Sequence, residues 1–264
     1  MSERRSAVIT GASSGLGAEF ARQLAARNYD VYLIARRLEM LERLAAELSA
    51  AHGIRAEAVR ADLANAADLE AVAARLADER DVDLLVNNAG FGTMGLFFET
   101  DLAGQMTMHQ LHVLATVRLT HAVLPGMVER GRGGVINVSS VAGFAMTPSN
   151  ISYCATKAWM NRFTYGLAME LKTRRSPVRA QALCPGFTYT EFHDTLGMSR
   201  EPIPKSLWMS AEYVVRESLE GLEKGRLYVV PGWRYKLLVG VLRTVPERLL
   251  EAGARSFGAR RRRK

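Results

Sequence analysis

Short apolar runs recur along this chain, and longer stretches separate them in which apolar residues return every third or fourth position. Ser6 to Thr10, Val31 to Ala35, Leu84 to Val86, Val135 to Val138, Val178 to Leu183 and Leu227 to Val230 read as strands. They are apolar nearly throughout rather than alternating, which is the pattern of strands buried on both faces. Ala18 to Arg27, with its stripe at Phe20, Leu24 and Ala25, reads as a helix, as do Gly104 to Glu129 and Ser152 to Lys172. Buried strands alternating with helices predict an α/β fold, a single doubly wound parallel sheet of about seven strands with helices on both faces. A length of 264 residues suits one such unit. No internal repeat or Ser/Gly/Pro-rich linker divides the chain, so residues 1–252 are expected to form one domain.

Composition changes this picture only at the ends. The N-terminus reaches its first glycine turn without an apolar signal region, and the two cysteines, Cys154 and Cys184, form no disulfide framework; both features suggest a cytoplasmic protein. The five histidines show no ligand spacing with acidic or thiol partners, so no catalytic metal is expected. Of the net charge of +8, six units come from Arg255, Arg260, Arg261, Arg262, Arg263 and Lys264. A run like this, over 253–264, is expected to be a disordered basic tail. No base-reading motif accompanies it, and no nucleic-acid partner is expected. Before it, over 233–250, apolar residues at 233, 237, 238, 241, 242, 245 and 249 make a helical stripe among basic residues. Charges and Pro246 argue against a membrane span. Three readings stay open: a helix lying on a membrane surface through 233–264, a face against a second subunit, and a cover for a substrate cleft.

The chemistry begins at the first strand. Gly-Ala-Ser-Ser-Gly-Leu-Gly follows it and leads into a helix, an order that makes an anion site from backbone N–H groups and a helix N-terminus. The turn would bring Gly11, Ser13, Ser14, Gly15, Leu16 and Gly17 to a phosphate; the plainer alternative is a turn with glycines for conformational reasons. The second strand ends in Arg36-Arg37, where an acidic residue would hold a ribose hydroxyl; arginines suit a 2′-phosphate instead. NADP(H) is therefore favoured over NAD(H), the plainer alternative being a pair of solvated arginines that open the next helix. Farther on, Tyr153 and Lys157 stand four apart, on one face if helical, with Ser140 thirteen residues upstream of Tyr153. An ammonium beside a phenol would lower its pKa and make it an acid/base near neutrality, while the Ser140 hydroxyl would bond an oxygen where charge develops.

In order, the chain shows Thr10-Gly-x-x-x-Gly-x-Gly17, Asp62-Leu63, Asn87-Asn88-Ala89-Gly90, Ser140, Tyr153-x-x-x-Lys157 and Pro185-Gly186-x-x-x-Thr190. On these motifs it resembles the short-chain dehydrogenase/reductase family over nearly its whole length. The resemblance implies a Rossmann-type fold and NADP-dependent hydride transfer. Tyr153 would be proton donor and acceptor, Lys157 would lower its pKa and bind nicotinamide ribose, and Ser140 would orient the substrate oxygen. Asp62 and Leu63 would meet the adenine, and Asn88, Ala89 and Gly90 would line the cofactor cleft. Pro185, Gly186, Thr188 and Thr190 would lie by the carboxamide and pyrophosphate. The long helices over 104–129 and 152–172 resemble the pair that joins subunits into a homodimer or homotetramer. One position departs from the family: His112 stands where an asparagine holds a water that links the lysine to solvent. Imidazole can bridge a water too, so His112 is read either as a member of the proton relay or as a helical histidine facing elsewhere.

Aromatics and methionines follow three of these motifs: Phe91, Met94, Phe97 and Phe98; Phe144 and Met146; and, within a substrate loop over about 187–209, Phe187, Phe192, Leu196, Met198, Leu207, Trp208 and Met209. They predict a hydrophobic ketone, aldehyde or secondary alcohol as substrate. The competing class is a nucleotide-binding scaffold or regulator with the same fold and little turnover, favoured only by His112 and opposed by the intact Ser140, Tyr153 and Lys157.

Overall fold

Apolar runs bounded by helical stretches fold as one seven-stranded parallel sheet in the order β3-β2-β1-β4-β5-β6-β7. The computed structural model describes residues 5–79, 81–192, 201 and 203–245. The strands are β1 (Arg5–Thr10), β2 (Tyr29–Ala35), β3 (Ala56–Arg60), β4 (Val82–Asn87), β5 (Gly134–Val138), β6 (Arg179–Leu183) and β7 (Tyr228–Val229). The helices are α1 (Gly15–Ala25), α2 (Leu38–His52), α3 (Ala66–Asp78), α4 (Leu102–His109), α5 (Ala115–Arg130), α6 (Ile151–Thr173), α7 (Ala211–Glu223) and α8 (Trp233–Leu242). A π-turn, Gln110–Leu114, joins α4 to α5 in one continuous helical run. The expected basic tail over 253–264, the loop positions 193–200 with Leu196 and Met198, and the stripe beyond residue 245 lie outside the described residues.

Side chains of successive strand residues point to opposite faces, and the core divides accordingly. Ala7, Ile9, Leu33, Leu84, Val86 and Ile136 meet Phe20, Leu24, Leu41, Leu48, Val215 and Leu219 on the face covered by α1, α2 and α7. Val8, Ile34, Leu85 and Val135 meet Leu69, Val72, Leu119, Val123, Met127, Leu167 and Leu171 on the face covered by α3, α5 and α6. A strand clad on both sides has no polar face to display, hence the unbroken apolar runs. The run Leu102–Arg130 is long and apolar enough to cross a membrane by length and composition alone. Its Leu119, Val123 and Met127 instead pack on the sheet.

Chain order reverses between β1 and β4. From β1 the chain winds outward to β3, then returns to the other side of β1 and continues to β7. The strand ends at this switch point cannot be covered by a direct crossover, so a crevice opens there. Helix α1 begins at Gly15, three residues earlier than the apolar stripe suggested, because the glycines themselves supply its first turn. Gly11 adopts φ +65°. A Cβ on Gly17 would overlap the Gly11 carbonyl oxygen and press within 2.6 Å of Asn88 Nδ2. These are largely backbone neighbours with no room to yield, so Gly17→Ala should lower stability by about 1–3 kcal/mol. Denaturant titration of the variant would check this; an unchanged midpoint would mean that the turn relaxes freely.

Candidate active site

Thr10 fastens the two strands that flank the crevice. Its hydroxyl accepts from the backbone N–H groups of Asn88 and Ala89, both at 2.9 Å. Asn88 Nδ2 in turn donates to the Thr10 carbonyl at 2.9 Å and the Gly11 carbonyl at 3.3 Å. Below them, Asn87 Nδ2 donates to Asn137 Oδ1 (2.9 Å) and Thr120 Oγ1 (3.1 Å), and Asn137 Nδ2 donates to Thr164 Oγ1 (2.9 Å). This buried polar ladder ties β4 and β5 to α5 and α6, each group satisfied by the next. The glycine turn and the Asn88-Ala89-Gly90 turn are thereby held face to face.

A cleft of about 570 Å³ follows from this arrangement. Of the residues singled out in the sequence, Gly11, Ser13, Ser14, Gly15, Leu16, Arg36, Arg37, Asp62, Leu63, Asn88, Ala89, Gly90, Ser140, Tyr153, Lys157, Pro185, Gly186, Thr188 and Thr190 all line it. Gly17 and His112 stand behind the wall. Helix α1 has no side-chain cap: Arg37 Nη2 donates to Ser14 Oγ at 2.7 Å and to Ser13 Oγ at 3.1 Å. Asn65, Asp101 and Ser210, by contrast, cap α3, α4 and α7. The first-turn N–H groups of α1 are thus left to an anion, beside a guanidinium and with backbone bare of Cβ atoms at Gly11 and Gly15. A dinucleotide fits these donors. Arg37 also pairs with Glu191 at 3.1 Å, an exposed ion pair between two residues that line the cleft.

At the other end, α6 lies across the ends of β5 and β6. Lys157 Nζ donates to the Val138 carbonyl at 2.8 Å, and Ser139 Oγ donates back to the Lys157 carbonyl at 3.0 Å. Lys157 Nζ sits 5.6 Å from the centre of the Tyr153 ring. The Ser140 hydroxyl accepts from the Ala142 N–H at 3.1 Å, which steadies it beside the phenol. Burial holds the Lys157 amine well below its ordinary range, down to about 7. Burial pushes the Tyr153 phenol up to about 12, and the Ser140 hydroxyl opposes that only in part. The sequence reading expected a phenol lowered by its lysine. The structure differs because desolvation acts on both groups, and because the amine is turned onto a backbone carbonyl.

His112 is fully buried. Its Nε2 accepts the Phe91 N–H at 3.2 Å, so the neutral ring carries its proton on Nδ1, which donates to Thr156 Oγ1 at 2.9 Å. Thr156 then donates to the Tyr153 carbonyl at 3.0 Å. Burial and the nearby Lys157 hold the imidazole pKa well below 6.5, so the ring is neutral. Both nitrogens that the sequence reading gave to a bridging water are engaged by protein groups. A Cβ on Gly90 would lie 2.6 Å from Nε2, so glycine there makes room for the ring.

The apolar candidates divide three ways. Phe91, Met94, Phe187 and Phe192 line the cleft, the Phe192 ring 5.8 Å from that of Tyr153. Phe144, Leu207, Trp208 and Met209 belong to the packing beneath it: Trp208 stacks on Tyr189, and the other three pack against a core cluster. Phe97, Phe98 and Met146 are exposed. Sequence reasoning missed Tyr235, which reaches the cleft from α8; only its one-turn spacing from Val239 hinted at an inward face. Cys154 and Cys184 are buried and unpaired to one another. Among the described residues, no group of three His, Cys, Asp or Glu side chains could hold a metal.

Comparison with known proteins agrees with this geometry. A family model described as short chain dehydrogenase matches residues 5–200. An uncharacterized oxidoreductase of Myxococcus xanthus is 33% identical over 258 residues, 95% of this chain and 96% of its own length. A short-chain dehydrogenase from Sphingobium yanoikuyae, solved in complex with NADPH, superposes with a TM-score of 0.83 at 35% identity, covering 90% of this chain and 93% of its own. The bulky-bulky ketone specific alcohol dehydrogenase of Comamonas testosteroni gives a TM-score of 0.78 at 29% identity, covering 97% and 93%. Solved neighbours also include an NAD complex, from Burkholderia phymatum, at 26% identity with a TM-score of 0.78 over 90% and 92% of the two chains.

The depressed Lys157 value has a stability consequence with a definite sign. Between about 7 and its ordinary value of 10.5, the unfolded chain binds a proton at this lysine that the folded chain does not, so stability rises with pH across that window. Lys157→Met lacks this dependence. It should be more stable than the parent near pH 7, with an advantage that shrinks as pH approaches 10, as read by urea unfolding at several pH values. Parallel curves for the two proteins would refute the assignment.

Proposed function

The chain belongs to the short-chain dehydrogenase family, and on that premise we propose that it is an NADP-dependent oxidoreductase acting on hydrophobic ketones, aldehydes or secondary alcohols. The observation that carries this reading is the convergence of Ser140, Tyr153 and Lys157 on one cleft whose far end presents an uncapped helix N-terminus and Arg37. When bound, the nicotinamide supplies or accepts the hydride. The protein's residues do the rest. Gly11, Gly15 and the first turn of α1 would hold the pyrophosphate, and Arg36, Arg37 and Ser13 would hold a 2′-phosphate in place of the Glu191 partner. With its pKa raised to about 12, Tyr153 is protonated at neutral pH and is poised to give its proton to a carbonyl oxygen. The Ser140 hydroxyl donates to the same oxygen and fixes its place. In the oxidative direction Tyr153 must first lose its proton, so that activity should climb with pH. Phe91, Met94, Phe187 and Phe192 support an apolar substrate. Exposed Leu102, Met106, Leu114 and Val117 on α4 to α5, with Tyr165 and Met169 on α6, support a homo-oligomer built on that face.

In this reading His112 is a positioning residue. It joins the cofactor turn at Phe91 to the helix turn that carries Tyr153, through Thr156.

NADPH oxidation followed at 340 nm with a panel of bulky ketones is expected to show turnover, cut by at least about 100-fold in Tyr153→Phe. Bound cofactor without turnover on any ketone would favour the scaffold reading instead. Arg36→Asp with Arg37→Asp should weaken NADPH far more than NADH; equal losses would remove the NADP preference. His112→Ala should lower kcat more than it raises KM and leave the pH profile in place, whereas a proton relay would shift that profile.

A further inference from the structure

Helix α8 is apolar on two faces, and the fold covers only one of them. Tyr235 and Val239, one turn apart, are each 5% exposed and face inward. The Tyr235 hydroxyl accepts the Phe187 N–H at 3.0 Å and donates to the Leu207 carbonyl at 2.7 Å, while its ring fills the space left by Gly186. The helix is thereby fixed to the cleft wall. Facing away from the wall are Trp233 (67% exposed), Leu237 (63%), Leu238 (44%) and Val241 (48%). Three of these, at 233, 237 and 241, form a row along the helix. Of the three readings the sequence left open for this stripe, the cleft cover falls away, because the row looks outward and the opposite face does the covering.

Charge separates the remaining two. Helix α8 contains no acidic residue. Exposed Arg234 lies 4.8 Å over the Trp233 ring and donates to the Ser206 carbonyl at 3.0 Å. Exposed Arg243 stands over the Tyr228 ring, and Lys236 reaches Glu217 at 3.7 Å. The sequence beyond, over 246–264, adds seven basic residues against two acidic ones. A two-fold contact between copies of this surface would set the same cations against one another. An anionic lipid surface meets both requirements at once, with apolar side chains and a tryptophan at the boundary and cations among the headgroups.

We propose that the outward face of α8 (Trp233, Leu237, Leu238 and Val241), flanked by Arg234 and Arg243, docks the protein on anionic membranes. A consequence rests on the functional reading above. The helix that meets the lipid also forms part of the cleft wall through Tyr235, so an apolar ketone or alcohol partitioned into the bilayer would be concentrated beside that wall.

The test uses the full chain without cofactor or substrate, so that its outcome does not depend on the enzyme assignment. Vesicles of phosphatidylcholine alone and of phosphatidylcholine with phosphatidylglycerol are floated with the protein. Binding is expected to the anionic vesicles only, to weaken with salt, and to shift tryptophan emission to shorter wavelength. Trp233→Glu with Leu237→Glu should cut that binding by about tenfold or more while turnover of a water-soluble ketone is retained. Three results would overturn the proposal: wild-type protein left wholly in the soluble fraction at low salt; undiminished binding by the double variant, which would assign the affinity to the basic residues alone; or loss of a dimer in the double variant without any vesicle binding, which would assign the stripe to a second copy.

Discussion

A reciprocal pair of hydrogen bonds holds together the end of the cleft that carries Ser140, Tyr153 and Lys157. Lys157 Nζ donates a hydrogen bond to the Val138 carbonyl, and Ser139 Oγ donates one back to the Lys157 carbonyl. Together they fasten helix α6 across the end of strand β5. Ser140 is the next residue along β5's exit, and Tyr153 stands one turn before Lys157 on the helix, so both side chains inherit their positions from this fastening. The amine is buried to do so, which is why its pKa falls. An unpaired buried charge would be costly; a neutral or carbonyl-bonded amine is tolerable. Placement of the amine and perturbation of its proton affinity are therefore one physical fact.

The cofactor end obeys a different constraint, that of close backbone approach. Thr10 and Asn88 exchange bonds across the switch point, and Gly11, Gly17 and Gly90 each occupy a spot where a Cβ would collide with a neighbour. His112 connects the two ends. Its ring fills the room beside Gly90 and passes the contact through Thr156 to the backbone of Tyr153. An asparagine is shorter than imidazole and would not reach both partners in the same way. In this chain the imidazole bridges the Phe91 turn and the Thr156 turn of the next helix.

Tyr235 gives helix α8 a similar double life. Its inner face completes the wall of the cleft, and its outer face is left apolar among cations. One short helix can carry a cleft-lining face and an exposed apolar face because side chains on opposite sides of a helix are independent of one another.

Much of this architecture was legible in the chain as written. Unbroken apolar strands announced a sheet clad on both sides, and the ordered motifs from Thr10 to Thr190 marked the strand ends that meet at one crevice. These features are local in the chain, since an unbroken apolar run and a glycine turn can each be read from a few consecutive residues. Sequence could not supply the direction of the pKa shift at Tyr153, which depends on how much water the whole fold removes from the phenol. It could not separate Phe187, which lines the cleft, from Trp208, which is stacked beneath it, since both are aromatic residues on one loop. Nor could it show which face of α8 turns inward: a helix with apolar residues on two faces has no preferred side until Tyr235 finds the Phe187 N–H and the Leu207 carbonyl. Periodicity chose the elements, and only three-dimensional packing decided which atoms lose their water and which partners they meet.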